Sequence, residues 1–370
     1  KYTGGDEILK ETFKLKDQGD RDLALRYDLT VPLARVIGMN PQLKMPFKRY
    51  QIGKVFRDGP IGPGRVREFF QCDADIIGTD SILAEVELLN LANYVFSKLG
   101  FKFKIKVNDR KILNAVIEYA GIPGENSETV ILTIDKLYKI GLEGVKKELT
   151  DKNISENSIS KIIKIISIKG NNKEKISQLK KIISEDPLKD ITSLLKYCSK
   201  NIEFDITLAR GFSYYTGIIF EIVLKDKEIC SVGGGGRYDN MIGSLLENKK
   251  NYPAVGISFG LDRIYDASNN KEEKETLTEI FIIPINEEKK SIELAEELRK
   301  NNFRTEIEIK KRSLSSSLDF AAKFKIPFVI FLGKEEIKKN KIKIRNMITG
   351  KEQTVSPNNL IKTLQKLNNR

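Results

Sequence analysis

The sequence predicts an α/β protein: a strand-rich α+β core interrupted by helices and followed by a separate small α/β domain. Three observations predict it. Short apolar or alternating runs fill residues 1–109 and return over 201–265. Between them, residues 110–200 carry apolar side chains at helical spacing. After a polar linker, DASNNKEEKETLTE, residues 277–370 alternate strand with helix, the order that builds a mainly parallel sheet.

Taken in order, YQIGKVF at 50–56 and FKFKIKV at 101–107 read as strands. A long amphipathic helix runs from Ser81 to Leu99, capped by GTDS and stopped at Gly100. NAVIEYAG, ISKIIKIISI and ISQLKKIISE are helical segments separated by polar loops. FDITLAR, GIIFEIVL and AVGISFG then read as strands around a glycine cluster at 233–236, completing the sheet begun before residue 109. The last domain follows as strand IFIIPI, helix SIELAEELRKN, strand RTEIEI, helix LSSSLDFAAKFK, strand FVIFLG, the run KIKIRNM and a closing helix NNLIKTLQKL.

Composition narrows the chemistry. At 370 residues with 40% hydrophobic content the chain can bury two or three domain cores. Lys and Arg outnumber Asp and Glu by 64 to 51, a surplus that suits a polyanionic partner, although a lysine-rich solvated surface would give the same count. Cys72, Cys198 and Cys230 lie far apart with no CxxC pair, which points to a reducing compartment and to neither a disulfide framework nor a zinc site. No apolar run approaches the roughly 20 residues that cross a bilayer, and KYTGGDEILK does not read as a signal peptide. Histidine is absent, which removes Ser-His-Asp triads, Cys-His pairs and every histidine general base. The chemistry expected is electrostatic, carried by Arg, Asp, Gln and Tyr.

The most informative stretch is KVFRDGPIGPGRVREFFQCDADIIG at 54–78. A strand ends in Arg57, a Gly/Pro loop follows, and a second strand carries Arg65, Arg67, Phe69, Gln71, Asp73 and Asp75 at period two. Buried unpaired charges cost several kcal/mol, so these must meet each other, solvent or a charged ligand. A solvated hairpin face is the simpler alternative.

This segment resembles motif 2 of class II aminoacyl-tRNA synthetases, and AVGISFGLDRI at 254–264 resembles motif 3, ending in Arg263. LARGFSYYTGIIFE at 208–221 and VGGGGRYDNMIG at 232–243 are similar to signatures of histidyl-tRNA synthetases, and RYDLTVPLAR at 26–35 looks like that family's amino-acid-binding loop. The resemblance implies a mainly antiparallel sheet flanked by helices, a helical insertion and a C-terminal anticodon-binding domain. It implies an aminoacyl-tRNA ligase of the cytoplasm and a homodimer, taking histidine, ATP and tRNA(His), with Mg2+ carried mainly by the ATP phosphates. Motif 1, which helps form the family's dimer interface, would precede Lys1.

Roles follow by resemblance, and each suits its residue type. Asp28, Thr30 and Gln71 would hold the α-ammonium, while Arg57 would reach the carboxylate and α-phosphate. Asp75 and Tyr215 would meet the imidazole, with Tyr214 lining the same pocket. Phe69 would stack on adenine, Arg65 and Arg263 would grip the outer phosphates, and Arg210 would be the catalytic arginine at the α-phosphate.

Other readings stay open at the level of sequence. The tyrosine pair could be core packing. The GGGG run lacks the GK[ST] ending of a phosphate loop and reads better as close backbone packing. Asp73 and Asp75 could be a metal pair, but no third ligand is evident and no metal site is expected. Ser213 stands where the family usually has Asp. A synthetase-like regulatory subunit of ATP phosphoribosyltransferase, or a synthetase-like RNA-sensing module of a kinase, would share the fold. The first should lack the C-terminal domain and some ATP-site arginines; the second should carry an eroded site.

Overall fold

The chain begins with a short helix, Asp6–Lys10, and a two-stranded ribbon, β1 (Lys14–Lys16) and β2 (Asp22–Ala24). Among the described residues, seven further strands form the main sheet: β3 (Phe47–Phe56), β4 (Glu68–Ile77), β5 (Phe103–Asp109), β6 (Ile202–Phe204), β7 (Ile218–Leu224), β8 (Ser231–Arg237) and β9 (Ala254–Gly260). Their order is β3-β4-β9-β8-β7-β5-β6. Every neighbouring pair is antiparallel except β5 with β6. The computed structural model describes residues 6–62, 64–198, 200–210, 214–225, 231–248, 250–268 and 276–368. The chain divides into two compact units, Lys1–Asn269 and Asn270–Arg370.

Alternation makes the main sheet two-faced. Ala74 and Ile76 of β4, Ile105 and Val107 of β5 and Ile218, Phe220 and Ile222 of β7 pack into one core with Leu88, Leu89, Ala92 and Phe96 of the helix Leu83–Lys98. The odd-numbered residues of β4 point the other way. The long helix starts later than expected. Thr79 and Ser81 make tight turns ahead of it, accepting from Ser81 N and Leu83 N, and supply no side-chain cap. Gly100, at φ 73°, ends it as the sequence indicates.

Among the described residues, six α-helices lie between β5 and β6, at Arg110–Ala120, Ser127–Asp135, Leu137–Asp151, Glu156–Ile166, Asn172–Leu179 and Lys189–Tyr197. Ile117, Ile131, Ile134 and Ile162 from these helices pack with Leu208, Ala209 and Tyr215, so the helical layer supports the segment leading to Arg210. That segment is less regular than FDITLAR suggests. Only Ile202–Phe204 pairs as a strand; beyond it the Asn108 side chain holds the carbonyls of Ile206 and Leu208. A side chain there does the work of a ladder.

Around the site the structure differs from the sequence reading in three places. RYDLTVPLAR is a loop running into a helix, Thr30–Met39, whose Leu33 and Ile37 pack on Tyr238 and Ile242. The glycine cluster is strand β8. Arg65 and Arg67 precede β4, in a turn closed by the bridge Gly62↔Arg65.

Among the described residues, the second unit has five strands, β10 (Ile280–Ile285), β11 (Thr305–Ile307), β12 (Phe328–Gly333), β13 (Ile342–Asn346) and β14 (Glu352–Val355), in the order β11-β10-β12-β13-β14. The expected parallel sheet is found only for the first three; β12–β13 and β13–β14 are antiparallel. The turn at Gly350, φ 71°, folds KIKIRN back on EQTV. EQTV is too exposed and polar to announce itself as a strand.

Candidate active site

On its second face β4 presents Phe69, Gln71, Asp73 and Asp75, which line a cavity of about 420 Å³. Gln71, Asp73 and Asp75 are buried, so a solvated hairpin face is excluded. Asp28 and Thr30 reach the cavity from the start of the helix after β2, Arg57 and Arg65 from the β3–β4 turn, and Arg210, Tyr214 and Tyr215 from the chain before β7. Arg263 closes it from the helix after β9.

One end is carboxylate and aromatic. Asp75 Oδ1 accepts from the Tyr238 hydroxyl at 2.6 Å, and Arg49 Nη2 lies 2.9 Å from Asp75 Oδ2. Burial pushes the Asp75 carboxyl up, and the Arg49 charge pulls it back. Asp28 Oδ1 accepts from the amides of Thr30 at 3.1 Å and Val31 at 3.0 Å; burial raises it too. Gln71 Nε2 donates to Ser258 Oγ at 2.6 Å. Tyr214 packs 4.6 Å from the Tyr215 ring and edge-on, 6.4 Å, to Tyr238.

The other end is cationic. The Arg57 guanidinium lies 4.3 Å from the Tyr27 ring centre and 5.1 Å from that of Phe69, an aromatic clamp that fixes its plane. Arg263 is tied to the carbonyls of Gly64 at 3.1 Å and Ser231 at 3.2 Å. Its pKa falls through burial and then through the neighbouring charges of Arg65 and Arg57. Cations held close enough to disfavour one another form a site for a polyanion. Arg210 donates through Nη1 to Phe220 O at 3.1 Å, and its buried Nε has no partner.

The glycine strand explains itself here. A Cβ on Gly234 would overlap the Arg210 guanidinium, and one on Gly256 of β9 would overlap the Asp75 carboxylate. These glycines leave room for charged side chains to lie flat on the sheet.

Every site residue singled out in the sequence therefore borders this one cavity. Ser213 lies outside the described residues. Two features differ from expectation: Asp75 is already paired, and Phe69 has Arg57 near its ring. Sequence reasoning missed Arg49, Tyr238, Ser258 and Asp135. Arg49 could have been found by pairing the hairpin, because it falls directly opposite Asp75. Among the described residues, no three acidic, cysteine or histidine side chains come together as a metal site.

An antiparallel sheet whose open face sets carboxylates and aromatics at one end and arginines at the other defines a class II aminoacyl-tRNA synthetase core. Comparison with known proteins narrows this. The family described as "Histidyl-tRNA synthetase" matches residues 1–264, and the "Anticodon binding domain" matches 279–367. "Histidine--tRNA ligase 1" of Bacillus cereus is 44% identical over 98% of this chain and 88% of its own. The crystal structure of histidyl-tRNA synthetase from Nostoc superposes with a TM-score of 0.74 at 25% identity, covering 99% of this chain and 90% of that one. A Bacillus halodurans structure titled "ATP phosphoribosyltransferase regulatory subunit/histidyl-tRNA synthetase" shares the fold at TM-score 0.66 and 22% identity, covering 85% of this chain and 82% of its own. The chain belongs to the histidyl-tRNA synthetase family.

Proposed function

We propose that the cavity condenses histidine with ATP to histidyl-adenylate, and that the histidyl group then passes to the 3′ end of tRNA(His). The observation that carries this is the polarity of the cavity: carboxylates and aromatics at one end, four arginines at the other. An amino acid laid along it puts its carboxylate between Arg57 and Arg210, facing the α-phosphate. Charge that builds on the phosphorane oxygens as pyrophosphate leaves meets the Arg210 guanidinium, whose Nε is unpaired and already in place. Arg65 and Arg263 take the outer phosphates, and Phe69 offers a ring to adenine. ATP enters as its Mg2+ complex, the ion carried mainly on phosphate oxygens.

Asp28, Thr30 and Gln71 hold the ammonium end, while Asp75, Tyr214 and Tyr215 surround the imidazole. The partner of this site is tRNA, bound through the C-terminal unit, whose sequence is rich in Lys and Arg. Retention of that unit and of the arginines supports the enzyme over the regulatory-subunit reading. The working division is residues 1–109 and 201–265 for adenylation, 110–200 as helical insertion and 277–370 for the anticodon. The setting is the cytoplasm; no helix among the described residues is long and apolar enough to cross a membrane.

The test is histidine-dependent ATP–pyrophosphate exchange alongside charging of tRNA(His). Deleting residues 277–370 should abolish charging while sparing much of the exchange. A folded full-length chain that exchanges nothing with histidine would overturn the proposal.

A further inference from the structure

Arg210 comes at the end of a stretch, 205–210, that lies beyond the paired strand β6. The start of that stretch is fixed to the main sheet. The Asp205 amide donates to Val107 O of β5 at 2.9 Å, and Lys106 Nζ, also on β5, lies 3.1 Å from Asp205 Oδ2. Its end is fixed to the helical insertion, because the Asp135 carboxylate accepts from the amides of Arg210 and Ala209. Asp135 is the last residue of an insertion helix, so whatever places Asp135 also places Arg210.

Three residues further on, the same turn is tied back to the sheet. The Tyr138 hydroxyl donates to Asp205 Oδ2 at 2.6 Å, and Lys106 Nζ sits 3.7 Å from the centre of the Tyr138 ring. Burial works against the Asp205 charge, but hydrogen bonds from Thr207 and Tyr138 and the charge of Lys106 hold the carboxyl below its ordinary range. Asp205 is therefore an ionised acceptor anchored on the sheet, and a hydroxyl bonded to a charge is a stronger tie than a neutral pair. The turn itself is self-closed: the amides of Lys139 and Ile140 both bond to Lys136 O. Gly141, at φ 69° and ψ 176°, breaks the helix that follows, which separates the turn from the rest of that helix. Asp135 and Tyr138 thus act as one short clamp on the two ends of 205–210.

Burial does not explain Tyr138. The residue is 69% exposed, although its hydroxyl reaches a carboxylate on a residue only 6% exposed. A ring left mostly in water contributes little through the hydrophobic effect, so the hydroxyl and the Lys106 contact are what it supplies. Asp135, Tyr138 and Asp205 all stand outside the residues that line the cavity.

We infer that Tyr138 is a positioning residue for adenylation: by pinning the turn to Asp205 it keeps Asp135 on the amide of Arg210, and so keeps the guanidinium in place at the cavity. This rests on Arg210 serving the α-phosphate as proposed above. It gives one turn of the helical insertion a share in the first half-reaction, before any tRNA is bound.

The experiment is a double-mutant cycle on the full chain, read by histidine-dependent pyrophosphate exchange and by thermal melting. In Tyr138→Phe, Asp205 keeps Lys106 and two bonds from Thr207, so the chain should fold. Its kcat should fall about three- to tenfold, the scale of one hydrogen bond, with KM for histidine and ATP unchanged and the melting temperature nearly so. In an Asp135→Ala background the same substitution should cost almost nothing more, because the tie it cuts no longer reaches Arg210. Losses that multiply in the double variant would overturn the assignment. So would wild-type kcat in Tyr138→Phe, KM values that rise as far as kcat falls, or a melting temperature that drops in step with kcat. An Arg210→Ala chain with wild-type exchange would instead sink the underlying reading of the site, and the assignment with it.

Discussion

The backbone N–H of Arg210 donates to the Asp135 carboxylate at 2.9 Å, tying the arginine to the end of a helix 75 residues earlier in the chain. Arg210 sits at φ 51°, a left-handed conformation that costs a non-glycine residue about 1–2 kcal/mol. The bond to Asp135 helps to hold it there, with the guanidinium lying over Gly234. Asp135→Ala should therefore lower kcat for pyrophosphate exchange by about tenfold with little change in KM, the scale of one buried hydrogen bond. Asp135→Asn keeps an acceptor and should keep most of the rate. Equal loss in the two variants would show that the amide bond is not what matters.

Arg210 itself should matter more. Losing a preorganised donor to a developing oxyanion typically costs on the order of 100- to 1,000-fold. Arg210→Ala should slow exchange by about that factor with histidine and ATP affinity nearly intact, and Arg210→Lys should recover little. Gly234→Ala should do similar harm without altering any charge, because its methyl group would displace the guanidinium. A Gly234→Ala enzyme with wild-type kcat would refute this placement.

Tyr238 and Asp75 can be separated. Asp75→Ala removes the ring's carboxylate and should raise KM for histidine by about tenfold to a hundredfold while sparing ATP. Tyr238→Phe removes one hydroxyl and leaves the Arg49 pair, so the rise should be smaller, about tenfold at most. Measuring KM for both substrates in each variant decides the point. An unchanged histidine KM in Asp75→Ala means the ring lies elsewhere.

Acid–base behaviour carries a signature that no enzyme histidine can confuse. Burial pushes Asp73 up to about 7 and Asp109 up to about 7, from an ordinary value of 3.8. Folded protein thus holds more protons than unfolded protein between about 4 and 7. The stability contributed by these acids is fully present below about 4 and is lost as pH rises through about 7. Thermal melts of ligand-free protein should fall across that window, and Asp73→Asn should flatten part of the slope. A variant that melts with the wild-type pH profile would contradict the raised pKa of Asp73.

Strand β3 forms one edge of the main sheet, and Tyr50 and Ile52 on it are 83% and 62% exposed. An edge that long and apolar invites pairing. We expect a homodimer that buries it. Tyr50→Glu with Ile52→Lys should shift the sedimentation mass toward a monomer; an unshifted dimer would place the interface elsewhere.

Much of this site could be read before the fold, because period two in EFFQCDADII already sets Phe69, Gln71, Asp73 and Asp75 on one face. What could not be read was pairing. Nothing local marks Ser258 as the neighbour of Gln71 and Asp73, since the β4–β9 register that joins them is set by tertiary packing. The glycine run was opaque for a related reason. Its meaning lies in the bulk of Arg210, which reaches Gly234 from another segment. Strand β14 and the ribbon β1–β2 were missed because their residues are exposed and carry no apolar period.

The pairing of β4 with β9 also sets a timetable. The Phe70 amide bonds to Asp262, 192 residues further on. A ribosome must therefore finish nearly the whole first unit before the cavity can close. Until then β4 waits with its polar face open, and contacts of such separation form slowly. Refolding from denaturant should accordingly regain helical circular dichroism well before it regains histidine-dependent exchange.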